Sequence, residues 1–316
     1  MVTVLEPASA DPSAARRLGR RAVDDRRRAD AEADEWARNL AERLDAGAVP
    51  SWLYRVDGAV RGFVSWTADS PLGVSIDLVS LEPEASRPEE YARLLDEVER
   101  RAGPIVFLHG TLPGLSPEGE EQLLRKRGFR RFARIEMVRD PTVPLAERRP
   151  APDERLRPVL PTDLDALAEL HRDAYRDRFD RYLFLESTDE RDDAHREVRQ
   201  ILEGRWGPFA AEGSCLLERG DRAVGAVLSL WGPVGALIAD VMVAPGEQGS
   251  GRGAVVLAHA VRGLEQARAS RIYLNVTVGN ERALRLYRRL GFARSLGPSS
   301  SWYHAGRIPV APAAEA

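Results

Sequence analysis

The residues best suited to chemistry form a glycine-rich turn between a β-branched run and an apolar helix. The run at 241–243 stops at Pro245, glycines stand at 246, 249, 251 and 253, and an apolar stretch follows at 254–261. A strand, a glycine turn and a helix N-terminus in this order present backbone N–H groups to an anion, and the helix dipole favours negative charge. Glycines also permit positive φ and close approach of the backbone to a ligand. The stretch therefore predicts binding of a phosphate-bearing ligand.

Several kinds of phosphate loop share these features, and their spacing separates them. A P-loop ends in Gly-Lys-Ser/Thr, but the chain has a single lysine, Lys126, far from the turn. A dinucleotide-binding loop has Gly-x-Gly-x-x-Gly and an acidic residue about 20 positions later. Here the glycines from Gly249 to Gly253 stand at every second position, and the segment 270–273 contains no acid. The spacing disfavours both loops.

A third pattern, Gln/Arg-x-x-Gly-x-Gly/Ala, is matched by Gln248, Gly251 and Gly253 position for position. It resembles the coenzyme A pyrophosphate loop of the GNAT acyltransferase superfamily. For this stretch taken alone, the alternative is an ordinary glycine-rich turn.

The strand and helix that follow carry a second signature. Residues 271–278 alternate and are β-branched, which predicts a strand, and residues 281–290 predict a helix. A polar residue, a small residue and a tyrosine spaced by three and four lie on one face of that helix. The segment matches the second GNAT signature, Asn-x-x-Ala-x-x-x-Tyr-x-x-x-Gly-Phe, at Asn280, Ala283, Tyr287 and Gly291-Phe292. The resemblance extends over about residues 155–304.

Internal similarity predicts two copies of one module. Gly62 and Gly225, Asp77 and Asp240, and Gly128 and Gly291 lie in similar short segments, and each pair is separated by 163 residues. The predicted fold class is α/β with a mixed sheet: two tandem GNAT-like domains, each a mostly antiparallel twisted sheet flanked by helices. The predicted boundaries are a domain at 1–140, a proline-rich linker at 141–154, a domain at 155–307 and a flexible tail at 308–316.

The two copies differ at the phosphate loop. At the same offset, Gln248, Gly251 and Gly253 correspond to Ala85, Pro88 and Glu90, and Tyr287 corresponds to Leu124. Proline lacks an N–H donor, and a glutamate repels a phosphate. The N-terminal copy is therefore interpreted as a degenerate GNAT-like domain and the C-terminal copy as the active one.

The resemblance implies direct transfer of an acyl group from acyl-CoA to an amine. Such a reaction requires a deprotonated amine, a polarised thioester carbonyl and a stabilised thiolate. The resemblance implies that Tyr287 faces the coenzyme sulfur, and the alternative is a core tyrosine. Asp240, a carboxylate within an apolar strand, is the candidate base. Asp77 at the matching position of the degenerate copy favours a structural role instead.

The expected cosubstrate is acetyl-CoA or another acyl-CoA, with no metal. The residues expected to bind it are Val241, Met242, Val243, Gln248, Gly249, Ser250, Gly251, Arg252, Gly253, Ala254, Asn280, Ala283 and Tyr287. For Arg252 the alternative is a solvated arginine, and for Asn280 it is a helix N-cap. The residues expected to line the acceptor site are Tyr175, Phe179, Tyr182 and Asn275. His171 and His259 are expected to have structural or surface roles.

The net charge and the cysteine content of the chain limit the classes of partner that we expect. With 46 basic and 49 acidic residues the net charge is −3, which predicts neither nucleic-acid nor membrane binding. Cys215 is the single cysteine, and the N-terminal residues have no apolar core typical of a secretion signal, so a cytoplasmic location is expected. The chain is predicted to acetylate a primary amine of a small molecule, as a monomer or homodimer. The alternatives are acetylation of proteins or peptides, and CoA binding or sensing without turnover.

Overall fold

The computed structural model describes residues 2–29, 50–145, 148–295 and 299–313. Contacts divide the chain into two compact units, residues 1–134 together with 296–316, and residues 135–295. Within the described ranges no helix is long and apolar enough to cross a membrane.

The first unit is a sheet with helices after its first, fourth and fifth strands. Its elements are β1 (Thr3–Pro7), α1 (Pro12–Ala29), β2 (Ser51–Val56), β3 (Ala59–Ser70), β4 (Gly73–Leu81), α2 (Pro88–Ala102), β5 (Ile105–His109), α3 (Pro117–Lys126), β6 (Phe129–Arg139, of which residues up to 134 belong here) and β13 (Ser299–His304). Neighbouring strands are antiparallel except β4 and β5, which are parallel.

The second unit has a similar order of elements, with two helices after its first strand. It comprises β7 (Glu154–Pro158), α4 (Leu164–Tyr175), α5 (Glu190–Leu202), β8 (Cys215–Arg219), β9 (Arg222–Gly232), β10 (Gly235–Val243), α6 (Arg252–Gln266), β11 (Ile272–Thr277), α7 (Glu281–Arg289) and β12 (Phe292–Arg294). Strands β7 to β11 lie in sequence order, and only β10 and β11 are parallel. Mostly antiparallel sheets flanked by helices confirm the predicted fold class.

The compact units do not follow chain order. Strand β13, inside the predicted 155–307 domain, pairs with β5 and β6 of the first unit. The last residues of β6 pair with β12 of the second unit. Ile308, at the start of the predicted tail, is buried. Each unit therefore takes a strand from beyond the boundary that the sequence pattern indicates.

Two apolar cores flank the sheet of the second unit. Helices α6 and α7 pack on one face, with Val256, Val261 and Leu284 buried in that core. Helices α4 and α5 pack on the other face, with Leu167 and Val198 buried there. The turns that follow β10 and β11 therefore lie at the ends of elements held rigidly by packing.

A one-residue bulge in β10 decides which face Asp240 occupies. The pairing with β9 runs Ile238 to Ser229 and then Asp240 to Leu228, which leaves Ala239 as an extra residue. Such a bulge reverses the side-to-side alternation of the strand. Ile238 accordingly packs in the core under α6, whereas Met242 packs in the core under α4 and α5.

Strands β10 and β11 separate toward their carboxyl ends. Their parallel register pairs Ala236 with Ile272 and Leu237 with Tyr273. Both strands are fully described, and no further pair joins them toward Val243 and Thr277. Ligands of α/β sheets bind beyond the carboxyl ends of parallel strands, where the connections diverge. This opening is therefore the expected place for a ligand.

Candidate active site

A cleft of about 410 Å³ lies at this opening, between α4, the end of β10, the glycine turn and α7. It brings together residues from both sequence signatures. Its lining includes Tyr175, Asp180, Val241, Val243, Gln248, Gly249, Gly251, Gly253, Ala254, Asn280, Ala283 and Tyr287. A volume of this size fits part of a cofactor-sized ligand.

The glycine turn has the backbone geometry of an anion site. Gly249 and Gly251 have φ of +88° and +94°, and Gly251 caps the N-terminus of α6. Among the described residues, no backbone acceptor is found for the N–H groups from 249 to 253, whereas Ala254 donates to the Gly251 carbonyl. These free N–H groups and the helix dipole fit a phosphate or pyrophosphate.

The side chain of Gln248 ties this turn to its surroundings. Its Nε2 donates to the Val243 carbonyl over 3.0 Å, and its Oε1 accepts from Arg282. Gln248 therefore has a structural role: its amide holds the turn against the end of β10.

Five arginines line the cleft, and they match the charge of a phosphorylated ligand. They are Arg148, Arg178, Arg282, Arg285 and Arg289. Burial, and secondarily the charge of Arg178, lower the pKa of Arg282. Arg252 is placed differently: it forms ion pairs with Glu154 and Glu247 and does not line the cleft.

Tyr287 faces the cleft from α7 although its side chain is only 8% exposed. Its ring centroid lies 6.1 Å from that of Phe292, the last residue of the second signature. Asn280 caps the same helix, accepting from the Ala283 N–H over 3.3 Å, and it also lines the cleft. The cap thus sets where α7 begins and hence where Tyr287 points.

Asp240 lies in a buried polar network beside the cleft. Its Oδ1 accepts from the Tyr175 hydroxyl over 2.6 Å, and its Oδ2 is 2.9 Å from His171 Nδ1. His171 Nε2 is 3.2 Å from a carboxylate oxygen of Glu197. Helix α4 thus contributes His171 and Tyr175, one turn apart, and α5 contributes Glu197.

The ionisation of this network follows from burial and charge. Burial alone lowers the pKa of His171, but the charge of Glu197 and the hydrogen bond with Asp240 outweigh it and raise the pKa to about 10. Burial, followed by the charge of Asp240, raises the pKa of the Tyr175 hydroxyl well above its usual value. At neutral pH the network holds an imidazolium beside a neutral phenol.

Several predicted residues lie away from the cleft. The Met242 side chain is buried in the core under α4 and α5, while its backbone, the part expected to bind the coenzyme, lies between the cleft residues Val241 and Val243. The Ser250 hydroxyl donates to the Glu247 carbonyl. Phe179 is buried, Tyr182 lies near Arg181 with 5.7 Å between guanidinium and ring, and Asn275 is exposed. Of the four predicted acceptor residues, Tyr175 is the one that lines the cleft.

The sequence reasoning missed three residues of this region. Asp180 lines the cleft and accepts from the Thr277 hydroxyl. The sequence pattern predicts a structural or surface role for His171, and it gives no role to Glu197. The spacing of His171 and Tyr175 by four residues on a helix was the available signal for this pair.

Comparisons with known proteins concern the family and the fold. Residues 164–292 match the family model described as the acetyltransferase (GNAT) family. A streptothricin acetyltransferase of Streptomyces lavendulae is 43% identical over 56 residues, which are 18% of this chain and 30% of that protein. The chain thus spans about a third of the length of this curated relative.

Two solved structures show the same fold over almost the whole chain. A GCN5-related N-acetyltransferase from Sphaerobacter thermophilus has a TM-score of 0.62 at 18% identity, covering 98% of this chain and 97% of its own. A tandem GNAT protein from the clavulanic acid biosynthesis pathway has a TM-score of 0.55 at 15% identity, with coverages of 96% and 98%.

The family match and the fold match cover different lengths of the chain. Residues 164–292 match the acetyltransferase (GNAT) family, and almost the whole chain shares the fold of the two solved structures.

Proposed function

We propose that the second unit transfers an acetyl group from acetyl-CoA to a primary amine of a small molecule by direct attack. One observation carries this proposal: the free N–H groups of the glycine turn, the Tyr287 hydroxyl and the Tyr175–Asp240 pair meet around one cleft. Phosphate recognition and proton transfer are thereby available within the same space.

The residues at the phosphate end fit acetyl-CoA. The turn from Gly249 to Gly253 offers its amides to the pyrophosphate, and the cleft arginines offer positive charge to the phosphates. A thioester supplies the activated acyl group when bound. The backbone of 241–243 borders the opening beside β11 and is placed to bind the pantetheine arm.

The other groups divide the proton chemistry. Tyr287 hydrogen-bonds to the leaving thiolate and protonates it, while Asp240 receives the proton that the amine loses. Asp180 is the one carboxylate among the described residues lining the cleft, and it attracts a cationic amine. The streptothricin acetyltransferase relative also favours a small-molecule acceptor.

Two alternative functions also require binding of CoA or acetyl-CoA. A protein or peptide acceptor replaces the small molecule in the first, and CoA is bound without turnover in the second. The presence of Tyr287 in the cleft lining favours catalysis, because a binding protein has no need of a proton donor there. The buried single thiol of Cys215 supports placing the reaction in a reducing compartment such as the cytoplasm.

The test is release of the CoA thiol from acetyl-CoA in the presence of a low-molecular-mass cell extract. We expect Tyr287→Phe to lower the rate by about 10²-fold, because it removes a general acid. Tyr273→Phe is the matched control, since Tyr273 lies in the same unit but outside the cleft lining, and it should retain the wild-type rate.

Binding of acetyl-CoA is measured in parallel by calorimetry. Tight binding without thiol release would contradict acetylation of a small molecule and support a protein acceptor or a sensing role. Equal rates for Tyr287→Phe and the wild type would remove Tyr287 from the chemistry.

A further inference from the structure

Asp240 is poorly placed to contact an acceptor directly. It is only 5% exposed, it does not line the cleft, and each of its carboxylate oxygens already has a partner. Tyr175 stands between this carboxylate and the cleft: its ring lines the cleft and its hydroxyl donates to Asp240 Oδ1 over 2.6 Å. A proton travelling from the cleft to Asp240 therefore meets the Tyr175 hydroxyl first.

The charges around Asp240 form a buried cluster of three groups. The imidazolium of His171 compensates one carboxylate, but Glu197 brings a second at 3.2 Å on the far side of the ring. Glu197, His171 and Asp240 together carry one net negative charge in a buried place. Without Glu197 the pair of Asp240 and His171 would be neutral and would attract a proton less strongly.

The charged groups that face this cluster come from three elements. Asp193 on α5 interacts electrostatically with His171, and it lies 3.9 Å from Arg181. Asp180, in the turn after α4, and Tyr287, on α7, interact with Tyr175. The hydrogen bonds described for Asp240 come from Tyr175 and His171.

We infer that Tyr175 contacts the acceptor amine and relays its proton to Asp240, and that His171 and Glu197 are positioning residues that hold Asp240 ready to receive it. This inference rests on the proposed function, because it concerns the amine that the second unit acetylates.

The proton balance is complete without a further reactant. An ammonium group has three protons and the product amide keeps one. Tyr175 accepts one proton at its oxygen while its own proton passes to Asp240 Oδ1, and this proton later returns to solvent by the same path. As the N–C bond forms and the C–S bond breaks, the nitrogen releases its second proton to solvent. Tyr287 gives its proton to the sulfur and regains one from solvent, so that one ammonium and one thioester yield one amide, one thiol and one proton.

Two small nucleophiles test the relay without knowledge of the natural acceptor. Methylamine is protonated at neutral pH, as amines of this kind are, and needs the relay. Hydroxylamine is largely neutral at pH 7 and avoids the first proton removal. We expect Tyr175→Phe to lower kcat/KM for methylamine by about 10²-fold or more, and for hydroxylamine by less than about tenfold. Glu197→Gln should show the same split with a smaller loss.

The controls separate a relay from a structural role. Tyr287→Phe should impair both nucleophiles alike, because it acts on the leaving group. Tyr273→Phe should leave both unchanged. Acetyl-CoA binding by calorimetry should be the same for Tyr175→Phe and the wild type.

Each outcome decides the inference. Equal losses with both nucleophiles, or an unchanged rate with methylamine, would overturn the relay while the proposed function stands. If the wild type releases no thiol with either nucleophile or with the low-molecular-mass extract, the proposed function fails and the relay fails with it.

A readout independent of turnover addresses the positioning residues. In histidine-labelled protein, NMR should show His171 as an imidazolium up to a pKa of about 10. Glu197→Gln should lower this pKa, because it removes the largest of the interactions that raise it. His171→Gln identifies the His171 signal by its loss. A His171 that titrates near its ordinary value in the wild type would refute the charged cluster.

Discussion

His171 holds a positive charge between two carboxylates, and this charge links its ionisation to the stability of the fold. Its pKa of about 10 lies above the ordinary value of 6.5 that the unfolded chain has. A raised pKa means that protonation favours the native state. The contribution is therefore fully present below pH 6.5 and declines as the pH rises from there to about 10.

We expect His171→Gln to lower the free energy of unfolding by about 3–5 kcal/mol at pH 6, since it leaves two carboxylates facing each other without a cation. The loss should shrink between pH 6.5 and 10. Urea denaturation at several pH values measures both effects. His195→Gln, a more exposed histidine of α5 paired with Asp165 over 3.0 Å, is the control. A loss that stays constant with pH would contradict a charged His171.

At the scale of the element, the glycine turn offers a phosphate site through its backbone N–H groups, and the conformation of Gly251 orients them. Gly251 has a φ of +94°, yet a Cβ added there would meet nothing within 4 Å. The cost of Gly251→Ala is therefore backbone strain alone, about 1–2 kcal/mol. Relief of that strain would turn the N–H groups away from the phosphate.

We expect Gly251→Ala to weaken acetyl-CoA binding by about tenfold or more, measured by calorimetry. Gly246→Ala is the matched control: the same turn, equal open space, but no positive φ. Its binding should equal that of the wild type. Equal binding by both variants would show that the backbone geometry at Gly251 does not determine recognition.

At the scale of the whole molecule, two units of one fold differ in their phosphate loops. In the first unit, α2 begins with Pro88 at its first position and has Glu90 in its first turn. Proline removes an N–H donor, and Glu90 accepts from Tyr54 and Arg93. Leu124, which matches Tyr287 in sequence, is fully buried.

We therefore expect each chain to bind one molecule of acetyl-CoA. Calorimetry and native mass spectrometry give the stoichiometry directly. Gly251→Ala should reduce the affinity of this single site without revealing another. A second equivalent bound by the wild type would show that the first unit also has a working coenzyme site.

The sequence by itself was enough to indicate the resemblance to GNAT acyltransferases, to predict the phosphate loop and to show the internal repeat. These rest on contiguous residues: Gln248, Gly251 and Gly253 in one turn, and Asn280 to Phe292 in one helix and its end. Backbone amides that bind a phosphate come from neighbours along the chain, so local spacing is enough to predict them.

The tertiary structure alone decided which groups surround Asp240. His171 and Tyr175 reach it across 69 and 65 residues, and a bulge at Ala239 turns it toward α4. The pairing of β13 with β5, and of β12 with β6, also joins residues that lie far apart in the sequence. A one-residue change of register moves a side chain to the other face of a sheet, and no local pattern encodes where that change occurs.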